Sequence, residues 1–290
     1  MEVITTPKEM TAWSNRQISA NKTIALVPTM GCFHEGHLAL MREAASRADR
    51  VVTSLFVNPL QFGPNEDFDA YPRTFNEDRE GAQASGVHVL FAPERSTLYP
   101  EGFSCNLVVG DLTKNLCGGS RPGHFDGVTT VVGKLFNIVK PQVAVFGQKD
   151  FQQLAVIRKM VTEMNWDVTL IGHPIVREPD GLAMSSRNKY LNPGERMSAL
   201  CLSAALEAAR SSVAQGERDA EVIIEKAVEC INAVKFTEID YISVVNDLTL
   251  IEQKQVCSSS VMALAVRVGK TRLIDNGYLV AIPVRSIYET

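Results

Sequence analysis

The stretch VPTMGCFHEGHLALM, Val27 to Met41, decides how the rest of the chain reads. It begins at the end of TIALV, Thr23 to Val27, a short apolar and β-branched run of the kind a buried parallel strand requires, and Pro28 is expected to stop that strand. Beyond the turn, Leu38, Leu40, Met41, Ala44, Ala45 and Ala48 recur near helical spacing, with Arg42, Glu43 and Arg47 on the other face. His34 and His37 therefore fall where the helix begins. A helix start presents unpaired backbone N–H groups and a partial positive charge, which favour phosphate, and two imidazoles three residues apart can add donors on the same side. The same pair would also serve as a helix cap or, less readily, as metal ligands, and by itself it does not choose.

Working outward, the composition narrows the options. With 290 residues and 45% hydrophobic content the chain can bury a substantial core in one large domain or two ordinary ones. The 29 basic and 33 acidic residues give a net charge of -4, which offers no reason to expect nucleic acid as the main partner. No apolar run is long enough to cross a bilayer, and MEVITTPKEM does not read as a leader, so a soluble, untargeted protein is expected. Cysteines 32, 105, 117, 201, 230 and 257 are scattered without a close pair, against both a zinc knuckle and a disulfide scaffold. Cys32 reads as a small residue filling a tight turn before it reads as a reactive thiol.

The rest of the chain alternates strands and helices. Thr6, Pro7 and Glu9 start a helix over 7–20. VVTSLFVN, Val51 to Asn58, is a second buried strand closed by Pro59, which puts Asn58 and Gln61 at a strand's carboxyl end, the edge where open α/β sheets bind ligands. A helix over 73–86 leads to a third strand from Val87, and residues 93–127 read as a loop in which GFSCNLVVG could form a strand and Arg121 and His124 could close over an anion. A helix over 128–139 and the strand from Val143 then deliver Lys149 to the same edge, ahead of a helix built on Phe151, Leu154, Ile157, Met160 and Val161. DVTLIG, residues 167–172, would close the sheet, with a domain boundary near 175. DGLAMSSRNKYL groups Ser185, Ser186 and Arg187 on a turn-prone loop suited to covering a triphosphate, or to linking domains. Helices near 193–214 and 219–232 and three strands follow. The expected fold class is α/β: a Rossmann-like, doubly wound parallel sheet over 1–175, with a smaller α+β C-terminal domain over 176–290.

PTMGCFHEGH (28–37), FVNPLQF (56–62), YPRT (71–74), SRPGHF (120–125), FGQKDFQQLAVIRKM (146–160) and DGLAMSSRNKYL (180–191), in that order, closely resemble the pantothenate synthetase, or pantoate–β-alanine ligase, family. The resemblance spans most of residues 23–195 and continues more loosely to RLIDN near 276. A lone HxGH would indicate only the wider nucleotidyltransferase superfamily; another enzyme of that superfamily, or a non-catalytic nucleotide-binding regulator, are the alternatives.

The resemblance implies a cytoplasmic homodimer in which a moving C-terminal lid helps ATP, with magnesium, condense pantoate with β-alanine to pantothenate, AMP and pyrophosphate. By match to the family's motifs, Met30, Gly31, Cys32, Phe33, His34, Glu35, Gly36 and His37 would hold ATP, with His37 as proton donor. Gly147, Gln148, Lys149, Asp150, Val176, Met184, Ser185, Ser186 and Arg187 would complete the ATP site. Gln61 would contact pantoate and the β-alanine site, Gln153 would contact pantoate, and no residue is assigned as a resident metal ligand. His34, His37, Lys149, Ser185 and Arg187 would carry the catalysis. Family members commonly have glutamate at the position of Gln148, and Cys32 and Phe33 occupy a variable stretch.

Overall fold

The computed structural model describes residues 1–64 and 66–281. Six strands form a parallel sheet: β1 Glu2–Ile4, β2 Ile24–Thr29, β3 Arg50–Leu55, β4 Val89–Phe91, β5 Val143–Gly147 and β6 Thr169–His173, in the spatial order β1-β4-β3-β2-β5-β6. Among them run α1 Pro7–Ser19, α2 Glu35–Arg47, α3 Phe75–Ala84, the short turns of helix α4 Arg95–Leu98 and α5 Cys117–Ser120, α6 His124–Val139 and α7 Phe151–Glu163. One face of the sheet packs on α1, α6 and α7 through Met10, Leu26, Phe91, Leu135 and Ile157, and the other on α2 and α3 through Met41, Ala44 and Ala82. Near-continuous apolar strands buried on both faces are what a parallel sheet covered by helices requires.

The chain then builds α8 Pro193–Ala199, α9 Cys201–Ala214 and α10 Ala220–Asn232, followed by an antiparallel sheet of β7 Thr237–Asn246, β8 Ser260–Val268 and β9 Thr271–Tyr278. Leu206, Ile223, Met262 and Leu264 join these helices to one face of that sheet, while Val245, Leu250 and Val261 pack into the core of the larger unit. The expected α/β class with a smaller α+β portion is therefore present. Of the C-terminal domain expected over 176–290, residues 282–290 lie outside the described residues.

Several boundaries differ from expectation for identifiable reasons. Pro28 does not stop β2, which continues to Thr29. At Pro28 the strand still registers with Ser54 of β3, but the pairing with β5 is confined to Ala25 and Leu26, so a missing N–H is tolerated there. The strand β1 went unanticipated because three residues carry too little pattern; it is held by its pairing with β4. GFSCNLVVG forms no strand. The Leu107 backbone N–H is instead satisfied by the Thr130 hydroxyl of α6 at 2.9 Å, and its carbonyl accepts from Thr129. The helix expected over 193–214 breaks at Leu200 into α8 and α9.

The topology reverses direction at β2, which has β3 on one side and β5 on the other. In open α/β sheets the crevice beyond the strand ends at such a switch point is where ligands bind. The close approach of α6 to the turn after β3 depends on Gly127, where a Cβ would collide with the Leu60 carbonyl and the Gln61 amide nitrogen. Gly127→Ala is expected to destabilise the protein by about 1–3 kcal/mol through overpacking. Urea denaturation checks this, and an unchanged midpoint would show that the 59–61 turn moves freely.

Candidate active site

Met30, His37, Gln61, Lys149, Asp150, Gln153, Ser185 and Arg187, all among the expected residues, line cavities at the carboxyl edge of β2, β3 and β5. The turn after β2 is held open from beneath by Asp78, a carboxylate of α3 only 1% exposed, which accepts hydrogen bonds from the backbone N–H of Cys32 at 2.9 Å and Phe33 at 2.6 Å. Cys32 itself has φ 51, in the left-handed region that a side chain other than glycine's adopts at some cost. Asp78 offsets that cost by satisfying the two amides in that conformation. Nothing local marked it: it lies 46 residues from Cys32, within an ordinary amphipathic helix.

His34 caps α2. Its Nδ1 accepts from the Gly36 N–H at 3.1 Å, while Nδ1 of His37 accepts from the His34 N–H at 3.4 Å, a reciprocal capping box made of two imidazoles. With both Nδ1 atoms accepting, the neutral rings carry their hydrogens on Nε2 and offer those as donors. The rings stack with centroids 4.1 Å apart. Gly36 is required for this arrangement, since a Cβ there would press on the His34 ring. Burial and then the positive charge of Lys149 push the His34 pKa down to about 4. Burial, the neighbouring His34 and Lys149 likewise hold His37 well below its usual range.

Two adjoining cavities, 280 and 170 Å³, open at this edge and share Arg121, His124, Asp150, Gln153 and Arg187 in their walls. The smaller has an apolar wall of Phe56, Val128, Val131, Leu135 and Phe146, facing polar groups from Asn58, Gln61, Gln153 and His37. Gln61 is preorganised: its Oε1 accepts from Asn58 at 3.0 Å and its Nε2 lies 3.1 Å from the Met30 sulfur. Asn58, expected as a possible ligand contact, is instead fully engaged, donating also to the Gly127 carbonyl and accepting from Tyr99 Oη and the Leu60 N–H. It is a brace for Gln61.

Lys149 and Asp150 follow β5 in a single 3-10 turn and line the larger cavity, and the Lys149 ammonium makes no hydrogen bond or ion pair among the described residues. Ser185 lines that cavity too, while the Ser186 hydroxyl turns inward to the Cys32 carbonyl at 3.1 Å and so ties its loop to the first turn. Arg187 reaches both cavities but is held by Asp67, with Nη2 and Nε at 2.8 and 3.1 Å from the two carboxylate oxygens. Burial opposes the charge on Arg187, but the hydrogen bonds and charge of Asp67 outweigh it and raise the pKa.

Other expected residues stand further off. Glu35 pairs with Arg42 on the surface of α2, so only its backbone belongs to the helix start. Met184 donates its N–H to the Val176 carbonyl at 3.0 Å, a pairing that shapes the loop, and neither Val176 nor Gln148 lines either of these two cavities. Arg121, read as a free cation able to close over an anion, has its charge matched by Glu66 at 2.6 Å, while its Nη1 lies 2.9 Å from His124 Nε2. His124 Nδ1 lies 2.8 Å from the Gln61 carbonyl. Burial and the Arg121 charge push the His124 pKa down to about 4, which makes the neutral ring a donor to that carbonyl and an acceptor from Arg121.

His34 and His124 bind protons less readily in the folded chain, at about 4, than at the ordinary value of 6.5. Between those values the unfolded chain holds more protons, so their contribution to stability is complete above pH 6.5 and is lost as the pH falls from there toward 4. Denaturation midpoints that decline through this window, with ring proton resonances that do not titrate near 6.5, are the expected result. A ring titrating at its ordinary value would contradict the assignment.

The chain matches the family model described as "Pantoate-beta-alanine ligase" over residues 2–278. A pantothenate synthetase of Geotalea uraniireducens is 53% identical over 276 residues, covering 95% of this chain and 98% of that protein. Its counterpart in Heliobacterium modesticaldum is 54% identical with the same coverage. The crystal structure of pantothenate synthetase from Thermus thermophilus superposes with a TM-score of 0.92 at 43% identity, covering 97% of this chain and all of that one. A Francisella tularensis pantoate-beta-alanine ligase, solved with β-γ ATP and β-alanine, superposes with a TM-score of 0.78 at 32% identity, covering 96% of this chain and 98% of its own. By family match, sequence identity and fold together, this chain belongs to the pantoate–β-alanine ligases, the pantothenate synthetases.

Proposed function

We propose that the chain uses ATP to join pantoate to β-alanine through a pantoyl adenylate, releasing pyrophosphate and then AMP, as the step that makes pantothenate for coenzyme A. One observation carries this reading. The smaller cavity pairs an apolar wall with two glutamines, and it opens directly onto the cavity lined by Lys149, Ser185 and Arg187. Pantoate has the matching shape, a branched dimethyl carbon beside hydroxyl groups and a carboxylate. Gln61 and Gln153 would hold its polar end, with the dimethyl group against Val128, Val131 and Phe146.

A carboxylate ionised at neutral pH can attack the α-phosphorus of ATP without an activated serine or cysteine. The step needs alignment and stabilisation of negative charge on the phosphate oxygens. The Nε2–H donors of His34 and His37 at the start of α2 and the Lys149 ammonium suit that task. His37 then acts first as a neutral hydrogen-bond donor. The charge of bound phosphates opposes its low pKa and would favour the protonated ring expected of a proton donor. Arg187 joins by exchanging Asp67 for phosphate. In the second step the neutral amine of β-alanine attacks the acyl carbon, the bond to the phosphate oxygen breaks, and AMP leaves.

Magnesium fits these residues. Asp150 places one carboxylate at both cavities, and this ion is commonly held by one or two carboxylates together with substrate phosphates. Asp150 would hold it there, where it would neutralise phosphate charge. The chain from residue 176 onward is assigned as the closing lid, supported by the ties from Ser186 to Cys32 and from Arg187 to Asp67 across the cleft. The same reading includes a homodimer in the cytoplasm, and sedimentation equilibrium tests the dimer.

Incubation with ATP, magnesium, pantoate and β-alanine, each omitted in turn, tests the reaction. AMP is expected only with pantoate present, and pantothenate only with all four; AMP formation indifferent to pantoate would overturn the proposal. Removing one preorganised donor commonly slows a reaction by about a hundredfold to a thousandfold, and His37→Ala and Lys149→Ala are expected to slow adenylation by that order in a still-folded chain. Gln61→Ala and Gln153→Ala are expected to raise the KM for pantoate while ATP binding stays largely intact. Calorimetric titration showing the reverse would remove the glutamines from the pantoate site.

A further inference from the structure

The segment RLIDN, Arg272 to Asn276, takes no part in the chemistry above, yet it places two buried polar side chains at the seam between the sheets. Asn276 is 6% exposed, and its side-chain Nδ2 donates to two successive carbonyls of one turn, Gln148 at 3.0 Å and Lys149 at 2.9 Å. Those carbonyls belong to the 3-10 turn between β5 and α7 that carries Lys149. Its neighbour Asp275, 2% exposed, takes Arg177 in a bidentate pair at 2.7 and 2.9 Å, and Arg177 also donates to the Gly181 carbonyl at 3.0 Å. That second contact lies at the base of the loop delivering Ser185 and Arg187. Successive strand side chains point in opposite directions, so two adjacent residues of β9 reach two different turns of the cleft.

A lysine ammonium rides on a flexible four-carbon stem, so its aim depends on the backbone that carries it. We propose that Asn276 is a positioning residue that acts through Lys149: by holding the Gln148 and Lys149 carbonyls it fixes the lysine's turn and couples the seating of the small sheet to the aim of that cation. This role rests on Lys149 being the phosphate-gripping cation of the ligase reaction. The contact crosses 127 residues of chain and joins the two sheets, so a shift of β9 is transmitted to the turn without an intermediate element.

If Asn276 only filled a polar site in the seam, its loss would act the same way whether or not Lys149 were present. A double-mutant cycle separates the two cases. The readout is pantoate-dependent pyrophosphate release in a single turnover, using the full-length chain, Asn276→Ala, Lys149→Ala and the double variant, with thermal melting as the control for folding. Misplacement of a reacting group by about 1 Å can cost on the order of a hundredfold, and a turn loosened at one end is expected to cost about tenfold, with a raised KM for ATP. On the Lys149→Ala background the same substitution is expected to change the rate by less than about twofold. An equal loss on both backgrounds, or no loss on the native one, overturns the positioning role while leaving the ligase reading intact. Absence of pantoate-dependent release from the unaltered chain overturns the ligase reading, and the positioning role with it. Should Asn276→Ala not fold, Asn276→Ser keeps a polar group in the seam that is too short to hold both carbonyls, and the same cycle applies.

Discussion

Every strand of the large sheet ends its run at one edge, and the turns leaving that edge carry backbone N–H and C=O groups that the strands and helices do not pair. Burying such groups without partners costs on the order of 1–3 kcal/mol each, so they must be satisfied without filling the cleft. The polar network serves that constraint. Asp78 takes the amides of Cys32 and Phe33, the two histidines cap one another, and Asn58 braces the turn after β3. Asn276 takes two carbonyls after β5. Some of these groups lie directly beside residues that face the cavities: His34 beside His37, Asn58 beside Gln61, and Asn276 beside Lys149.

The charges follow the same division. Arg121 and Arg187 each have a carboxylate partner in Glu66 and Asp67, and Arg177 has one in Asp275, whereas Lys149 has none among the described residues. Burial alone would raise the pKa of Glu66, but hydrogen bonds from Arg121 outweigh it and keep the carboxylate ionised. Arg267 and Lys270 of the small sheet also line the larger cavity, so its wall holds cations already matched by carboxylates beside cations with no ion pair among the described residues. Ser186, anchored to the Cys32 carbonyl, provides a fixed point about which the 185–187 loop can move.

Much of this was legible in order along the chain. The strand, glycine turn and helix around His34 and His37, the repeated placement of Asn58–Gln61 and Gly147–Asp150 after apolar runs, and the alternation of elements followed from local periodicity. Periodicity works there because each buried face repeats within a few residues. It failed at β1, too short to repeat, and at Leu107, whose backbone is satisfied by threonine side chains rather than by a ladder. It also could not tell how the polar residues near the edge are used: Asn58 and Gln61 both line the smaller cavity, but Asn58 is saturated by its neighbours, and Glu35 lies on the outer surface.

The amino-acid sequence by itself determined the parallel α/β class, the two histidines at a helix start and the identity of the residues that the family's motifs mark, because strand burial, helix caps and turns are set by neighbours within a few positions. Only the tertiary structure decided what holds those residues in place. Asp78 to Cys32, Asp67 to Arg187 and Asn276 to Lys149 are contacts across 46, 120 and 127 residues. Each is one carboxylate or amide in an otherwise ordinary helix, loop or strand. Its partner is chosen by where the sheet edge brings distant turns together, and no spacing in the chain records that meeting.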